Sequence, residues 1–294
     1  MTKVVVVGSI NMDLVVHTQQ FPRMGETLFG EQFATHPGGK GANQAVAAQR
    51  LGASVAMVGC VGNDEFGQTL TAGLAAEGID TRWLKTSPDT ATGVALITLC
   101  QGDNAIVVVP GANMQLSPSD ISAAEAAFID ADIILSQLEI PLDTVLAAAK
   151  LAQKHSKPFF LNPAPAQALP AELLALCTLL TPNEFELLEA LGESEADWKT
   201  VLAKHRAVMT KGSDGAWFNQ GGQLQHQAGF KVDLVDSTGA GDTFNGALAT
   251  FWHLGIAEAT QRASAAGALS VTRAGAQGGM PTLAELEQFL KTQS

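Results

Sequence analysis

The sequence predicts an α/β fold: a central, mostly parallel sheet flanked by helices, with a small β-sheet lid. Two observations carry this. Short β-branched runs alternate with longer Ala/Leu-rich segments of helical period, the signature of strands joined by crossover helices. Two clusters of short two-sided strands break that alternation. In order, the valines of Lys3–Val7 predict a buried strand, 42–51 a helix, 54–58 a strand and 66–77 a helix. Further on, 133–135, 158–161, 179–181 and 207–210 read as strands, with 142–154 and 184–191 as helices. After a hairpin-like stretch, 232–235 reads as a strand feeding the small-residue turn Gly239-Ala240-Gly241 and a helix to about Leu254. Helices over 258–271 and 283–291 close the chain. The interrupting strands are 13–17 with 26–33, and 93–99 with 105–109, where Gly102-Asp103 suits a hairpin turn. Inserts at about 11–35 and 93–109 would therefore form the lid of a single domain, 1–294. An apolar outer face on that lid would suit the pairing of two subunits.

Composition narrows the function. The 294 residues carry 17 basic and 29 acidic side chains, a net charge of −12. No Lys/Arg run exists to bind nucleic acid or an anionic membrane, so an anionic ligand must be held by local amides and a few placed cations. Cys60, Cys100 and Cys177 are odd in number and lack CxxC spacing, which fits a reducing cytoplasm better than a disulfide framework. The apolar N-terminal run is too short for a signal peptide, and no run of ~18 apolar residues predicts a membrane span.

Three motifs carry most of the chemistry, and smaller signals accompany them. In VDSTGAGDTFNGALA, Gly239, Ala240 and Gly241 lack bulk, so successive amides can converge at a helix start whose dipole favours negative charge. Asp242 beside them is placed to accept a proton from an attacking hydroxyl; on local evidence alone it reads equally as a helix cap. In HPGGKGANQAVAAQRLGA, Gly39, Lys40, Gly41, Ala42 and Asn43 open a helix, without the spacing of a Walker A loop. That stretch suits a polyhydroxylated ligand, or is simply a glycine-rich loop. GSINMDLVV lacks G-x-G-x-x-G, against a dinucleotide-binding turn, and places Asn11 and Asp13 on one side of an extended Asn11-Met12-Asp13. Glu139 ends an apolar strand, where a carboxylate needs a partner. In TPNEFE, Asn183 and Glu186 suit either a capping box or metal-bound water near phosphates. Thr210-Lys211-Gly212-Ser213-Asp214-Gly215 offers hydroxyls and turn amides for a nucleotide, or a plain hairpin. The six histidines show no ligand spacing.

Taken together and in this order, GSINMD, GGKGANQAVAA, PGAN, QLE, NPAPA, TPNE, TKGSDG, DSTGAGDTFNG and VTRAGAQ resemble the ribokinase-like (PfkB) carbohydrate kinase family over nearly the whole chain. PGAN and NPAPA narrow the resemblance towards members that phosphorylate ribose. The resemblance implies a parallel sheet with a β lid that often forms a homodimer contact. The implied reaction is transfer of the ATP γ-phosphoryl group to O5 of D-ribose, with Mg²⁺. Asp242 would be the base and the turn at 239–242 the anion hole. Asn11, Met12, Asp13, Gly39, Lys40, Gly41, Ala42, Asn43 and Glu139 would form the sugar site. Asn183 and residues 210–215, with Gly241, Asp242 and Ser264, would meet ATP, while Glu186 would organise Mg²⁺ through water. A monovalent cation, K⁺ by the resemblance, would lie at Asp236, Thr238, Ser270, Arg273, Gly275 and Gly279. Gly279 stands where the family commonly has serine, and Ser264 where it commonly has His or Asn. Another sugar kinase of the family, such as one acting on 2-deoxyribose, is the nearest alternative. A non-catalytic sugar-binding protein is the more distant one.

Overall fold

The computed structural model describes residues 1–101, 103–193 and 196–293. Its strands in chain order are β1 (Lys3–Val7), β2 (Asn11–His17), β3 (Gln32–Gly38), β4 (Ser54–Gly62), β5 (Asp80–Ser87), β6 (Gly93–Cys100) and β7 (Asp103–Val109). There follow β8 (Ile133–Ser136), β9 (Phe159–Leu161), β10 (Leu179–Leu180), β11 (Val208–Thr210), β12 (Gly215–Gln220) and β13 (Gln223–Ala228). The central sheet has the order β10-β9-β8-β1-β4-β5, and every pairing in it is parallel. Because side chains alternate along a strand, β1 feeds both faces: Val4 and Val6 enter one core, Val5 and Val7 the other. Burial on both faces explains why β1 reads as an unbroken apolar run. The chain builds β4 and β5 on one side of β1 and then crosses to β8 on the other. This order reversal opens a crevice beyond the carboxyl ends of the strands.

A four-stranded sheet, β3-β2-β6-β7, forms from the two interrupting clusters, with β2 and β6 parallel and the outer pairs antiparallel. All of β7 is exposed. The antiparallel sheet β11-β12-β13 lies beyond β10, with one isolated parallel bridge from β10 at Leu180–Ala207 and a second just past it at Asn183–Thr210.

Several expectations need correcting. Residues 232–235 form no strand: Leu234 and Val235 are exposed, and Val271 O instead accepts from the amides of Val235 and Asp236. β3 begins at Gln32 rather than 26, since antiparallel pairing with β2 carries it through His36 to Gly38. β5 was not foreseen; its half-buried edge position dilutes the apolar signal. The proposed turn residue Gly102 lies outside the described residues.

Two helices, Lys40–Arg50 and Ala240–Phe251, pack tightly enough to exclude any side chain at Gly246. A Cβ there would lie 2.6 Å from Gln44 O and 2.8 Å from Ala48 N. Alanine would gain up to ~1 kcal/mol of helix propensity, while overpacking costs about 1–3 kcal/mol. Gly246→Ala is therefore expected to lower the unfolding free energy by about 1–2 kcal/mol. A denaturant midpoint at or above that of the parent chain would contradict it.

Candidate active site

The residues that follow the carboxyl ends of the central strands converge. Ser9 follows β1, Gln137 and Glu139 follow β8, Asn162 follows β9, and Thr181 and Asn183 follow β10. A polar cleft of about 150 Å³ is lined by Lys40, Asn162, Thr181, Asn183, Glu186, Thr210, Ser237, Gly239, Ala240, Gly241, Asp242 and Asn245. A larger recess, about 560 Å³, opens at the amino ends of the strands between Thr2, Leu51, Ile133 and Trp252. Its one carboxylate, Asp132, already accepts from the Lys3 amide, so volume does not pick the site. Convergent chemistry does.

Asp242 lies at the base of the cleft, 8% exposed. It is not a cap. Gly239 is the N-cap, in the left-handed region at φ 76°, and Asp242 is the third residue of the helix. Its carboxylate is held from the neighbouring helix: Asn43 Nδ2 donates to Oδ2 at 2.9 Å and Gln44 Nε2 to Oδ1 at 3.0 Å. Burial pushes its proton affinity up, while Lys40 and the two amide donors oppose that. Gly239, Ala240 and Gly241 border the same cleft; the Ala240 amide donates to Ser237 O at 3.3 Å, within the turn that starts the helix.

On the lid side, Asn11 and Asp13 share one face of β2. Asn113, whose Nδ2 donates to Asn11 Oδ1 at 2.7 Å and whose Oδ1 accepts from Ile10 N at 2.8 Å, fixes the start of that strand. Met12 points the other way, into the core, so its side chain forms no part of the site. Ala42 is likewise core, and Gly41 is small because the helix start presses on Gly8 and Ser9. Gly39, at φ 87°, would place a Cβ 2.7 Å from Asn11 N. Glu139 finds the partners its burial requires: Ser9 Oγ donates to it at 2.5 Å and the Lys40 amide at 3.2 Å.

These groups bring several carboxylates around one lysine. Burial, then Glu139 and Asp242, raise the Asp13 pKa to about 7. Burial would lower that of Lys40, but Asp242, Glu139 and Glu186 raise it overall, so the lysine stays charged. Burial also raises Glu186.

Asn183 and Glu186 form a capping box, the Asn183 amide donating to Glu186 Oε2 and the Glu186 amide to Asn183 Oδ1. Glu186 nevertheless borders the cleft. Lys211 pairs with Glu184 at 2.9 Å and stands over the Trp198 ring, while Gly212–Asp214 is a 3-10 turn leading into β12 at Gly215. Ser213 and Asp214 are exposed. Ser264, on the helix Ile256–Ser270, has an enclosed Oγ without a hydrogen-bond partner.

Asp236 accepts from Thr238 N at 2.9 Å and Gly275 N at 2.8 Å; burial would raise its pKa, but these bonds hold it below the usual value. A Cβ at Gly279 would lie 2.2 Å from Ser270 O and 3.4 Å from Arg273 O, and Arg273 Nη2 donates to Gly279 O. The carbonyls thus crowd the place a serine would occupy, so this backbone requires glycine. Such hard oxygen donors suit a monovalent cation by type.

Sequence reasoning left Gln44, Gln137, Asn113 and Asn162 without roles. The signal was available for three of them: Gln44 is an amide within an Ala/Val helix, and Gln137 and Asn162 directly follow parallel strands, whereas Asn113 lies in a 3-10 turn after an antiparallel strand and has no such mark.

The raised Asp13 pKa gives the stability of the protein a pH dependence of definite sign. Between about pH 4 and 7 the native state binds more protons at Asp13 than the unfolded chain, so this contribution to stability falls as pH rises through that window. Asp13→Asn should lose less stability than the parent between pH 5 and 8 in denaturant titrations. Parallel losses would contradict this.

Comparison with known proteins shows the family. The pfkB family carbohydrate kinase profile matches residues 1–283. The chain is 43% identical over 292 residues to the ribokinase of Bacillus subtilis, covering 99% of this chain and 100% of that one. It is 36% identical to a deoxyribokinase of Salmonella typhi, covering 98% of each. It superposes with a TM-score of 0.89 on Arabidopsis thaliana ribokinase complexed with ribose and ATP, at 32% identity and covering 99% and 98% of the two chains. On the extent of these matches, the chain belongs to the pfkB family of carbohydrate kinases.

Proposed function

We propose that this protein phosphorylates D-ribose at O5 with ATP, giving D-ribose 5-phosphate and ADP. One observation carries the mechanism: a buried carboxylate, Asp242, lies in the same cleft as the first turn of its own helix, Gly239 to Gly241. The carboxylate takes the proton of the attacking hydroxyl, and the Gly239–Asp242 turn and helix dipole receive the charge of the transferring phosphoryl group. A loose transfer needs the proton removed only late, so a modest base suffices if it is well oriented. Asn11, Asp13, Asn43, Lys40 and Glu139 hold the sugar hydroxyls, while Asn183 and the 210–215 segment, with Ser264, contact ATP.

Glu186 is the residue suited to hold Mg²⁺ through water; the ion's contribution is to offset phosphate charge. Asp236, Thr238 and the backbone at Ser270, Arg273, Gly275 and Gly279 would hold a monovalent cation, K⁺ in this reading, with water standing in for the missing serine hydroxyl. The four-stranded sheet acts as the lid of a single domain. Its exposed Ile106, Val107, Val108 and Val109 support a homodimer through that face. Three free cysteines support a cytoplasmic setting, and among the described residues no helix is long and apolar enough to cross a membrane.

The second reading is a kinase for 2-deoxyribose, favoured by the deoxyribokinase similarity. Asp13 counts against it if it grips vicinal hydroxyls, because loss of one would strand a desolvated carboxylate. ADP release with D-ribose, 2-deoxyribose, fructose and adenosine, each with and without K⁺, tests the assignment. Selective turnover of ribose, enhanced by K⁺, is expected. Faster turnover of 2-deoxyribose would replace the substrate, and ribose binding without turnover of any sugar would favour a binding protein. Asp242→Asn should keep ribose affinity by calorimetry while turnover falls about 10²–10⁴-fold. Near-parental turnover would remove Asp242 as base.

A further inference from the structure

A buried base faces a conflict. Desolvation favours the protonated, inactive acid, yet Asp242 must be ionised to accept a proton. Lys40 favours the charged form, whereas Asp13, Glu139 and Glu186, the other charged groups facing the site, disfavour it. The first layer of hydrogen bonds helps, since Asn43 and Gln44 both present N–H groups to the carboxylate. An amide side chain, however, has two faces. If Asp242 gained a proton, either amide could rotate about its last torsion and accept from the new O–H through its oxygen. The donors would then no longer discriminate against the acid.

A second layer opposes that rotation. Gln137 Nε2 donates to Gln44 Oε1 at 2.7 Å, and Gln277 Nε2 donates to Asn43 Oδ1 at 3.1 Å. Gln44 Nε2 also reaches Asn162 Oδ1 at 3.2 Å. Turning either amide alone would set its N–H₂ group against another donor; Gln137 Oε1 is buried without a hydrogen-bond partner, so packing and not a further bond holds Gln137, while Asn162, oriented by its own bond to Thr181 O, also fixes Gln44. Both outer glutamines are anchored by separate parts of the fold. Gln137 follows β8 and is wholly buried, packed so closely that a Cβ at Gly8 would lie 2.0 Å from its Oε1. Gln277 belongs to the short helix Ala276–Gly279, whose backbone is tied down by Arg50 Nη1 donating to Gln277 O at 2.5 Å and to Met280 O at 3.3 Å. Arg50 is itself clamped by Glu77 on two nitrogens.

We propose that Gln137 and Gln277 are positioning residues that lock the Gln44 and Asn43 amides from behind, so that Asp242 meets only donors and is retained as a carboxylate. Neither touches the reacting atoms. The inference rests on Asp242 as the base and adds how a desolvated carboxyl stays competent. The same two glutamines fix the carboxylate plane, because each of its oxygens is held by one locked amide.

Methionine nearly matches glutamine in length and volume but cannot donate, so Gln137→Met and Gln277→Met remove each lock singly. In each variant the acid limb of the kcat–pH profile should move up by about one unit, with turnover approaching the parental value at high pH. A merely structural role would instead lower the melting temperature and depress kcat evenly across pH. An unmoved acid limb in folded Gln277→Met would overturn the proposal. Because Gln277 is only half-buried, that variant decides the matter even if Gln137→Met does not fold. Asp242→Asn separates the two levels. Retained turnover in Asp242→Asn would overturn the base assignment and this inference together. Lost turnover in Asp242→Asn with an unmoved limb in the methionine variants would overturn this inference alone.

Discussion

The helices Lys40–Arg50 and Ala240–Phe251 touch at backbone distance, and most of what happens in the crevice follows from that contact. Gly246 lies against Gln44 O and Ala48 N with no room for a methyl group. At that spacing, residues in the first turns of the two helices are hydrogen-bonding neighbours although about two hundred positions separate them in the chain. Asn43 and Gln44 from one helix therefore meet Asp242 from the other. A wider crossing would place water between them, and the carboxylate would become an ordinary solvated group. The precision of the site is a property of helix packing, set well away from the cleft.

The charge arrangement is the second constraint. The protein is acidic overall, and the crevice gathers Asp13, Glu139, Glu186 and Asp242 around Lys40. Such a field repels phosphates at long range. Anion binding is therefore left to amides at the helix start, which act at contact distance and carry no net charge. A neutral polyol suits the acidic side of the crevice, since its hydroxyls can donate to carboxylates that have lost water. The two ends of the site thus differ in chemistry even though both lie beyond the same parallel strands.

Much of this was legible in the sequence because the strongest signals are local. The valine run of β1, the alternation of strands and helices, and the small-residue turn before Asp242 each reflect a rule that acts within a few residues. Asn11 and Asp13 shared a face as their spacing required, and the same alternation sent Met12 into the core. What escaped was non-local. The exposed 232–235 segment has strand-like residues but no strand to pair with, and composition cannot report a missing neighbour. β3 took its start from pairing with β2. Gln137 and Gln277 came together around Asp242 only through the tertiary fold, and the crowding at Gly279 depends on carbonyls six and nine positions earlier.

β7 has a further consequence. It is an edge strand, exposed along its length, and its Ile106-Val107-Val108-Val109 run is β-branched, uncharged and free of proline within those four residues. Wherever a second subunit does not cover it, such a segment is prone to add strands from other chains in cross-β fashion. The neighbours in sequence supply partial protection: Asp103 opens the strand and Pro110 ends it, denying an incoming chain one backbone donor. The net charge of −12 supplies the rest by keeping molecules apart. Acidification weakens that repulsion without altering the edge, so colloidal stability in this protein is set by a strand remote from the crevice and by carboxylates spread over the whole surface.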